Sequence, residues 1–399
     1  MVSVEQAARP GQWRWPVLAM FAVGYGANQF VPLLAVYRHT LALSDADATA
    51  IFGVYALGLI PGFLIGGPAS DRWGRRRIML AFTALSLVAS AVLVTGRSGT
   101  AGLYAGRLLT GVVSGTVFTV GTAWTKELSG GNPGAAARRA ALALTAGFAV
   151  GPLVAGGLAQ WAPLPTVLPY LVHLVLAATA LALLPRAPET RPPQAAGSRL
   201  RFVPPSVRTR RFGVLVAPMA PWVFGSVTLA FTTLPAHAVR LPPATGIVFT
   251  GVLAGVALGG GLAGQRWGRR LGTGGSARGV ARPQAIGLAV VAGGFAAAAL
   301  ATSWPGLATV AAAALVLGCG YGICLVVGLR EVERLAGPDE LGGLIAVYYS
   351  LTYLGLAIPF LLALAAPYTG YPTVLLLVGA AAVLTLASVV GRARSLPSG

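Results

Sequence analysis

The sequence predicts an all-α membrane protein whose twelve transmembrane helices form two related bundles of six. Three observations predict it. The 399-residue chain is 56% hydrophobic and only 10% charged, whereas a soluble domain carries about 25% charged residues. Twelve segments reach the roughly 20 apolar residues needed to cross hydrocarbon. A basic heptad also occurs once in each half, as Asp71-Arg72-Trp73-Gly74-Arg75-Arg76-Arg77 and as Gln265-Arg266-Trp267-Gly268-Arg269-Arg270-Leu271.

In the first half the apolar segments are 15–37, 48–69, 78–96, 101–125, 140–161 and 166–185. In the second they are 212–236, 243–264, 283–303, 305–329, 340–366 and 371–391. Lipid offers the backbone no hydrogen-bond partners, so each must be a helix. The first is too long for a cleavable signal and lacks a small-residue cleavage site after it. Between the sixth and seventh lies 186–211, with seven Arg, one Glu and five Pro, which reads as a solvated linker. The chain therefore divides into a bundle over 1–185, a cytoplasmic linker over 186–211 and a second bundle over 212–399.

The net charge of +19 raises nucleic acid as a partner, and its distribution argues against that. With both termini inside, only Arg38, Arg97 and Arg240 of the 29 basic residues fall outside, and Arg107 lies within a helix. This is the positive-inside pattern of a membrane protein. Cys319 and Cys324 share the tenth helix, too far apart to pair. The chain has no phosphate loop, no metal-ligand cluster and no nucleophile–base pair at a known spacing, so an enzyme is not expected, and neither is a cofactor or a metal.

The halves also match in their fourth and tenth segments, where Gly111-Val-Val-Ser-Gly115 corresponds to Gly318-Cys-Gly-Tyr-Gly322. Repeated six-helix units are a transporter plan, with the substrate site at the midplane between them. Gly58-x-x-x-Gly62-x-x-x-Gly66 and Gly251-x-x-x-Gly255-x-x-x-Gly259 make smooth stripes that allow close helix approach. They read either as static packing or as a gate face on which the halves rock.

Three motifs carry a family resemblance. Gly67-Pro-Ala-Ser-Asp71-Arg72-Trp-Gly74-Arg75-Arg76 resembles the loop 2–3 signature of the major facilitator superfamily. Arg107-x-x-x-Gly111 resembles its fourth-helix motif. Gly147-x-x-x-Gly151-Pro152-Leu-Val-Ala155-Gly156 is similar to the fifth-helix motif of its drug:proton antiporters, with Ala155 in place of the first Gly of the closing pair. The resemblance covers essentially the whole chain. It implies a multi-pass protein of the cell membrane, exporting a lipophilic drug or metabolite by alternating access, with a proton gradient as energy source and no cofactor. A monomer is expected, with small-molecule substrate, protons and the lipid bilayer as partners and no nucleic acid. The alternatives are uptake of a sugar, peptide or organic anion by symport, or a non-transporting sensor with the same fold.

Gating and proton coupling are expected from Asp71, Arg72, Gly74, Arg75, Arg107, Glu127, Gly151 and Pro152. Asp71 should lie against the positive N-terminus of the eleventh helix, near Asp339–Leu341, and Arg75 should bridge Asp71 to Glu127, latching the cytoplasmic end. Pro152 should kink the fifth helix, and the glycines around it should let that helix pack closely. Arg107, alone in the membrane, is expected to be functional and to face Asn28 and Gln29, with snorkelling to the outer interface as the plain reading. None of the ten acids lies in mid-helix. The substrate is therefore read as neutral, zwitterionic or anionic, and the titrating groups are placed at the ends: Asp71 and Glu127 inside, or Asp45 and Asp47 outside. The two outer aspartates also fit an N-cap. The resemblance places the cavity among helices 1, 4, 7 and 10, with 2, 5, 8 and 11 beside them. These helices offer Tyr25, Asn28, Gln29, Phe30, Phe118, Thr119, Trp222, Phe224, Tyr321, Tyr348, Tyr349 and Tyr353 as substrate contacts. His173, on the sixth helix, is expected to be peripheral.

Overall fold

In the computed structural model, the described residues are 11–130, 133–191, 203–237, 243–271, 277–337 and 340–396. Among them are twelve spans long and apolar enough to cross a membrane. The first six are α1 (Arg14–Thr40), α2 (Asp45–Trp73), α3 (Arg75–Ser98), α4 (Thr100–Glu127), α5 (Arg138–Trp161) and α6 (Leu168–Arg186). The second six are α7 (Phe212–His237), α8 (Gly246–Arg270), α9 (Ala281–Ser303), α10 (Leu307–Leu335), α11 (Leu341–Thr369) and α12 (Tyr371–Ala393).

Local chemistry sets the ends and the breaks. Ser44 caps α2: its hydroxyl accepts from the Asp47 backbone N–H at 3.1 Å, and the Asp47 carboxylate returns a bond to the Ser44 N–H. This capping box starts α2 three residues ahead of the apolar run. Asp47 thus serves the cap, while Asp45 is the first residue inside it. Gly74, at φ 92°, turns the chain from α2 into α3 in a conformation that a side chain would strain. α1 breaks at Gln29, because Pro32 has no N–H to offer the Asn28 carbonyl. α11 loosens into a 3₁₀ turn at Leu354–Leu356 just ahead of Pro359, for the same reason.

Small residues hold the helices of each half together. Methyl groups built on Gly58, Gly62, Gly111 and Gly115 would all meet backbone across the α2–α4 seam. Gly318 and Gly322 abut Ala257 and Gly261 across the equivalent α8–α10 seam. The stripe Gly58-Gly62-Gly66 is therefore static packing inside one half, since Gly66 also faces Thr116 of α4. It is not the gate face that the spacing left open.

The halves meet along two seams. In one, Gly251 of α8 faces the Pro152 carbonyl of α5, and Gly156 faces the Ile247 carbonyl. In the other, Gly53 of α2 faces the Leu356 carbonyl of α11, Tyr55 meets Tyr353, and Phe63 stacks on Tyr349. The α5–α8 contacts lie toward the end away from the arginine-rich loops, whereas the α2–α11 seam also runs into the arginine half, where Phe63 meets Tyr349. Toward the arginine end the α5–α8 seam opens: Gly255 and Gly259 have nothing within 4 Å of an added methyl group. Along α5–α8 the seam is thus closed toward the far end and splayed toward the arginine end.

Candidate functional site

The first cluster sits where α2, α3 and α4 meet at the arginine end. Gly74 separates α2 from α3 and leaves Arg75 as the first residue of α3, buried at 5% exposure. Arg75 Nη1 lies 2.9 Å from Asp71 Oδ1, and Nη2 lies 3.1 Å from Glu127 Oε1. The guanidinium also donates to the Ser70 hydroxyl. One fork thereby ties the end of α2 to the end of α4. Arg72 instead lies over the ring of its neighbour Trp73, 5.5 Å from the centroid.

The first residues of the linker, 188–191, join this cluster while staying partly exposed. The Trp124 indole donates to the Pro188 carbonyl at 3.0 Å. Glu189 accepts from the backbone N–H groups of Arg75 and Arg76, each at 2.9 Å. It thereby caps α3, whose positive N-terminus favours an anion. The Thr190 hydroxyl donates to Glu127, and Arg191 pairs with Asp71 at 3.3 Å. Asp71 is thus held by Arg75 and Arg191 in this arrangement. The start of α11, the partner expected for Asp71, is not among these contacts; there Glu340 accepts from Ser206. Asp339 lies outside the described residues.

In the second half, Glu331 is 1% exposed and pairs with Arg211 at the start of α7, with Arg334 3.6 Å away. Sequence reading assigned it no role, since nothing in the local pattern marks it as buried.

Arg107, within the membrane span of α4, is a second buried cation of the first half, at 2% exposure. It does not snorkel, and its direct partners are not Asn28 and Gln29. Nη1 donates to the Ala27 carbonyl at 3.0 Å and Nη2 to the Phe52 carbonyl at 3.1 Å. The rings of Phe30, Tyr55 and Phe52 surround it, 4.7, 4.5 and 5.4 Å from its guanidinium carbon. Carbonyl dipoles and ring faces stabilise the charge in place of a carboxylate. The Ala27 carbonyl lies next to the α1 break.

The aromatic candidates separate into two groups. Phe224 of α7 stacks on Tyr353 of α11 at 4.1 Å and meets Tyr321 of α10 at 5.5 Å. Phe63 and Tyr55 of α2 join Tyr353 and Tyr349 from the opposite half. These rings form one wall across the seam, and Phe63 and Tyr55 are members that the sequence did not single out. The other group lies inside a single half. Trp222 turns to Phe295 of α9 and Thr385 of α12. The Tyr348 hydroxyl donates to the Cys324 and Leu325 carbonyls. Phe118 meets Phe148 of α5, and Thr119 donates to the Gly115 carbonyl. Trp222 and Tyr348 thus pack against helices of the second half in this arrangement.

Tyr25 stacks on His173 at 6.3 Å, and the α5 glycines Gly147 and Gly151 press on its backbone. Asn28 donates to the Phe148 carbonyl at 3.4 Å. Gln29 is fully buried, and neither amide atom finds a hydrogen-bond partner. His173 is buried rather than peripheral: Nδ1 lies 2.7 Å from the Ser90 hydroxyl, and the ring fills the space left by Gly26.

Two six-helix bundles joined by a linker, with a wall of rings across their seam, define a multi-pass membrane transporter. The chain belongs to the Major Facilitator Superfamily, whose sequence profile matches residues 17–358. Among curated proteins it resembles a probable nitrate/nitrite transporter, NarK2, of Mycobacterium tuberculosis, 34% identical over 97 residues and 24% of each chain. It also resembles the facilitated glucose transporter member 8 of Bos taurus, 32% identical over 115 residues, 29% of this chain and 24% of that protein. These matches span about a quarter of either relative. Solved structures share the fold at low identity. A POT family transporter in complex with 5-aminolevulinic acid gives a TM-score of 0.75 at 12% identity, covering 94% of each chain. The POT transporter PepTSo gives 0.77 at 13%, covering 97% of this chain and 98% of that one. The nucleoside transporter NupG gives 0.73 at 13%, covering 95% and 99%.

Proposed function

We propose that the protein exports a lipophilic small molecule, neutral or anionic, across the cell membrane by alternating access, as a proton antiporter. The observation that carries this is the wall of Phe63, Tyr349, Tyr353, Phe224 and Tyr321 across the seam. It holds no carboxylate. Apolar, aromatic surface with few polar groups suits an organic substrate. The similarity of Gly147–Gly156 to the antiporter motif supports export, and Gly147 and Gly151 are packed against α1. The excess of arginine around the loop 2–3 end supports a cytoplasmic placement of that end, so the splayed form is the one that loads from inside. The aromatic rings, Gln29 and Asn28 are the proposed substrate contacts. Asp71, Arg75 and Glu127 are the proposed gate.

A second reading is uptake of an organic anion by symport. It is favoured by the buried charge of Arg107 and by the partial likeness to a nitrate/nitrite transporter.

Proteoliposomes with an imposed pH gradient and a panel of lipophilic neutral and anionic compounds test both. Expulsion of a compound with proton entry supports antiport, co-directional movement supports symport, and absence of any flux supports a sensor.

A further inference from the structure

At the end away from the arginine loops, three side chains from three helices converge on a carboxylate of a fourth. Asp45, the first residue of α2, pairs with Arg38 at the end of α1, within its own half. Two further partners come from the other half. The Tyr371 hydroxyl, at the start of α12, donates to Asp45 Oδ2 at 2.8 Å, and His237 Nε2, at the end of α7, lies 3.0 Å from the same oxygen. The His237 and Tyr371 rings stack at 3.9 Å with an interplanar angle of 25°. The side chains of Arg38, Asp45 and His237 are 18%, 31% and 24% exposed. A cleft of about 440 Å³, lined by Ser44, Asp45, Pro367, Tyr368 and Tyr371, opens beside them. Solvent protons therefore reach the cluster from this end.

We infer that Asp45, His237 and Tyr371 form a proton-sensitive latch that locks the two halves together at the far end. Arg38 and Asp45 sit in one half and keep their pairing in either arrangement. The His237 contact spans the seam and exists only while the far end is closed. It is an ion pair only when the imidazole is charged, and a histidine gains that charge between about pH 8 and pH 5. Carboxylates titrate near about pH 4, so the aspartate keeps its charge through that window. Acid therefore favours the closed far end, and by linkage closing takes up a proton that opening releases. Of the charged and titratable groups in the cluster around His237, α1 contributes Arg38, which pairs with Asp45, α2 contributes Asp45 and α12 Tyr371. Asp47 is turned to Ser44, and Arg240 lies outside the described residues. The Tyr371 hydroxyl adds a contact across the seam that does not depend on pH over this range.

The inference does not rest on the substrate or the direction of transport, and its test uses neither. Spin labels at Trp161 and Trp304, exposed at the far ends of α5 and α9, report the separation of the halves. The full-length protein, with Cys319 and Cys324 replaced by alanine, is measured in nanodiscs at constant ionic strength without substrate. The expected result is a ratio of closed to open far end that rises about two- to fivefold from about pH 8 to pH 5. H237Q should give a flat profile, and D45N should do the same if H237Q does not assemble. Y371F should lower the closed fraction at every pH and keep the slope. A wild type with no pH dependence would overturn the latch. So would an H237Q or D45N variant that keeps the wild-type slope, or a Y371F variant that loses it.

Discussion

Arg75 Nη2 stands 3.1 Å from Glu127 Oε1 across the junction of α3 and α4, while Nη1 of the same guanidinium stands 2.9 Å from Asp71. One buried cation thus serves two half-exposed carboxylates. The carboxylates keep access to water, so the pair is worth far less than a fully buried one. A double-mutant cycle of R75A and E127A, read by thermal unfolding in detergent, should give a coupling of about 1 kcal/mol. R75K should fall short of wild type in the same assay, because an ammonium cannot present the fork. If the cluster gates transport, D71N should insert and fold normally and lose flux in proteoliposomes.

Glu189 makes a separate prediction. Its carboxylate receives two backbone N–H groups at the start of α3 and also touches the turn at Gly74. E189A should destabilise by about 1 kcal/mol, the scale of a lost helix cap. E189Q should recover only part of that loss, since the amide accepts at one oxygen and brings no charge to the helix end. Melting curves of the two variants check the order.

The architecture was legible in the sequence because hydrophobic length and positive charge are one-dimensional signals, and the lipid enforces both. The equivalence of Gly111 and Gly115 with Gly318 and Gly322 was legible too, and each pair packs on the helix two spans earlier in its own half. What spacing does not contain is the neighbour. Gly58-Gly62-Gly66 and Gly251-Gly255-Gly259 share one pattern, yet the first is sealed against α4 and the second faces the other half and then open space. Trp222 and Phe224 are two residues apart and serve different surroundings, because successive helical positions turn by about 100°. Glu189, His237 and Glu331 act through residues more than a hundred positions away. No local signal marks such partners. The lone Glu of the arginine-rich linker was the nearest thing to one.

Gln29 separates function from packing. Both its amide atoms are buried and unpaired at the break in α1, and a buried unpaired amide costs about 1–3 kcal/mol. Q29L removes the polar atoms at similar volume and should raise the melting free energy by about 1 kcal/mol. If Gln29 meets substrate or water during transport, the same variant should lower flux. A stable Q29L with wild-type flux would remove it from the proposed contacts.

The α5–α8 seam supplies the last prediction, because one stripe carries both a contact and a gap. Gly251 touches the Pro152 carbonyl, while Gly255 and Gly259, one and two turns toward the arginine end, meet nothing. If the halves rock, these two glycines must approach α5 when the arginine end closes. A side chain there has room in the present arrangement and none in the other. G255L should therefore express and melt like wild type, within about 0.5 kcal/mol, and fail to cycle. Labels on the arginine ends of α5 and α8 should report only the separated distance, and flux should fall at least about tenfold, which corresponds to about 1.4 kcal/mol against the closed form. The contrasting variant is G111A, whose methyl would overlap the Tyr55 carbonyl inside the first half. It should lose stability, through assembly of the bundle rather than through its motion. Normal transport by G255L would show that the α5–α8 seam stays fixed through the cycle.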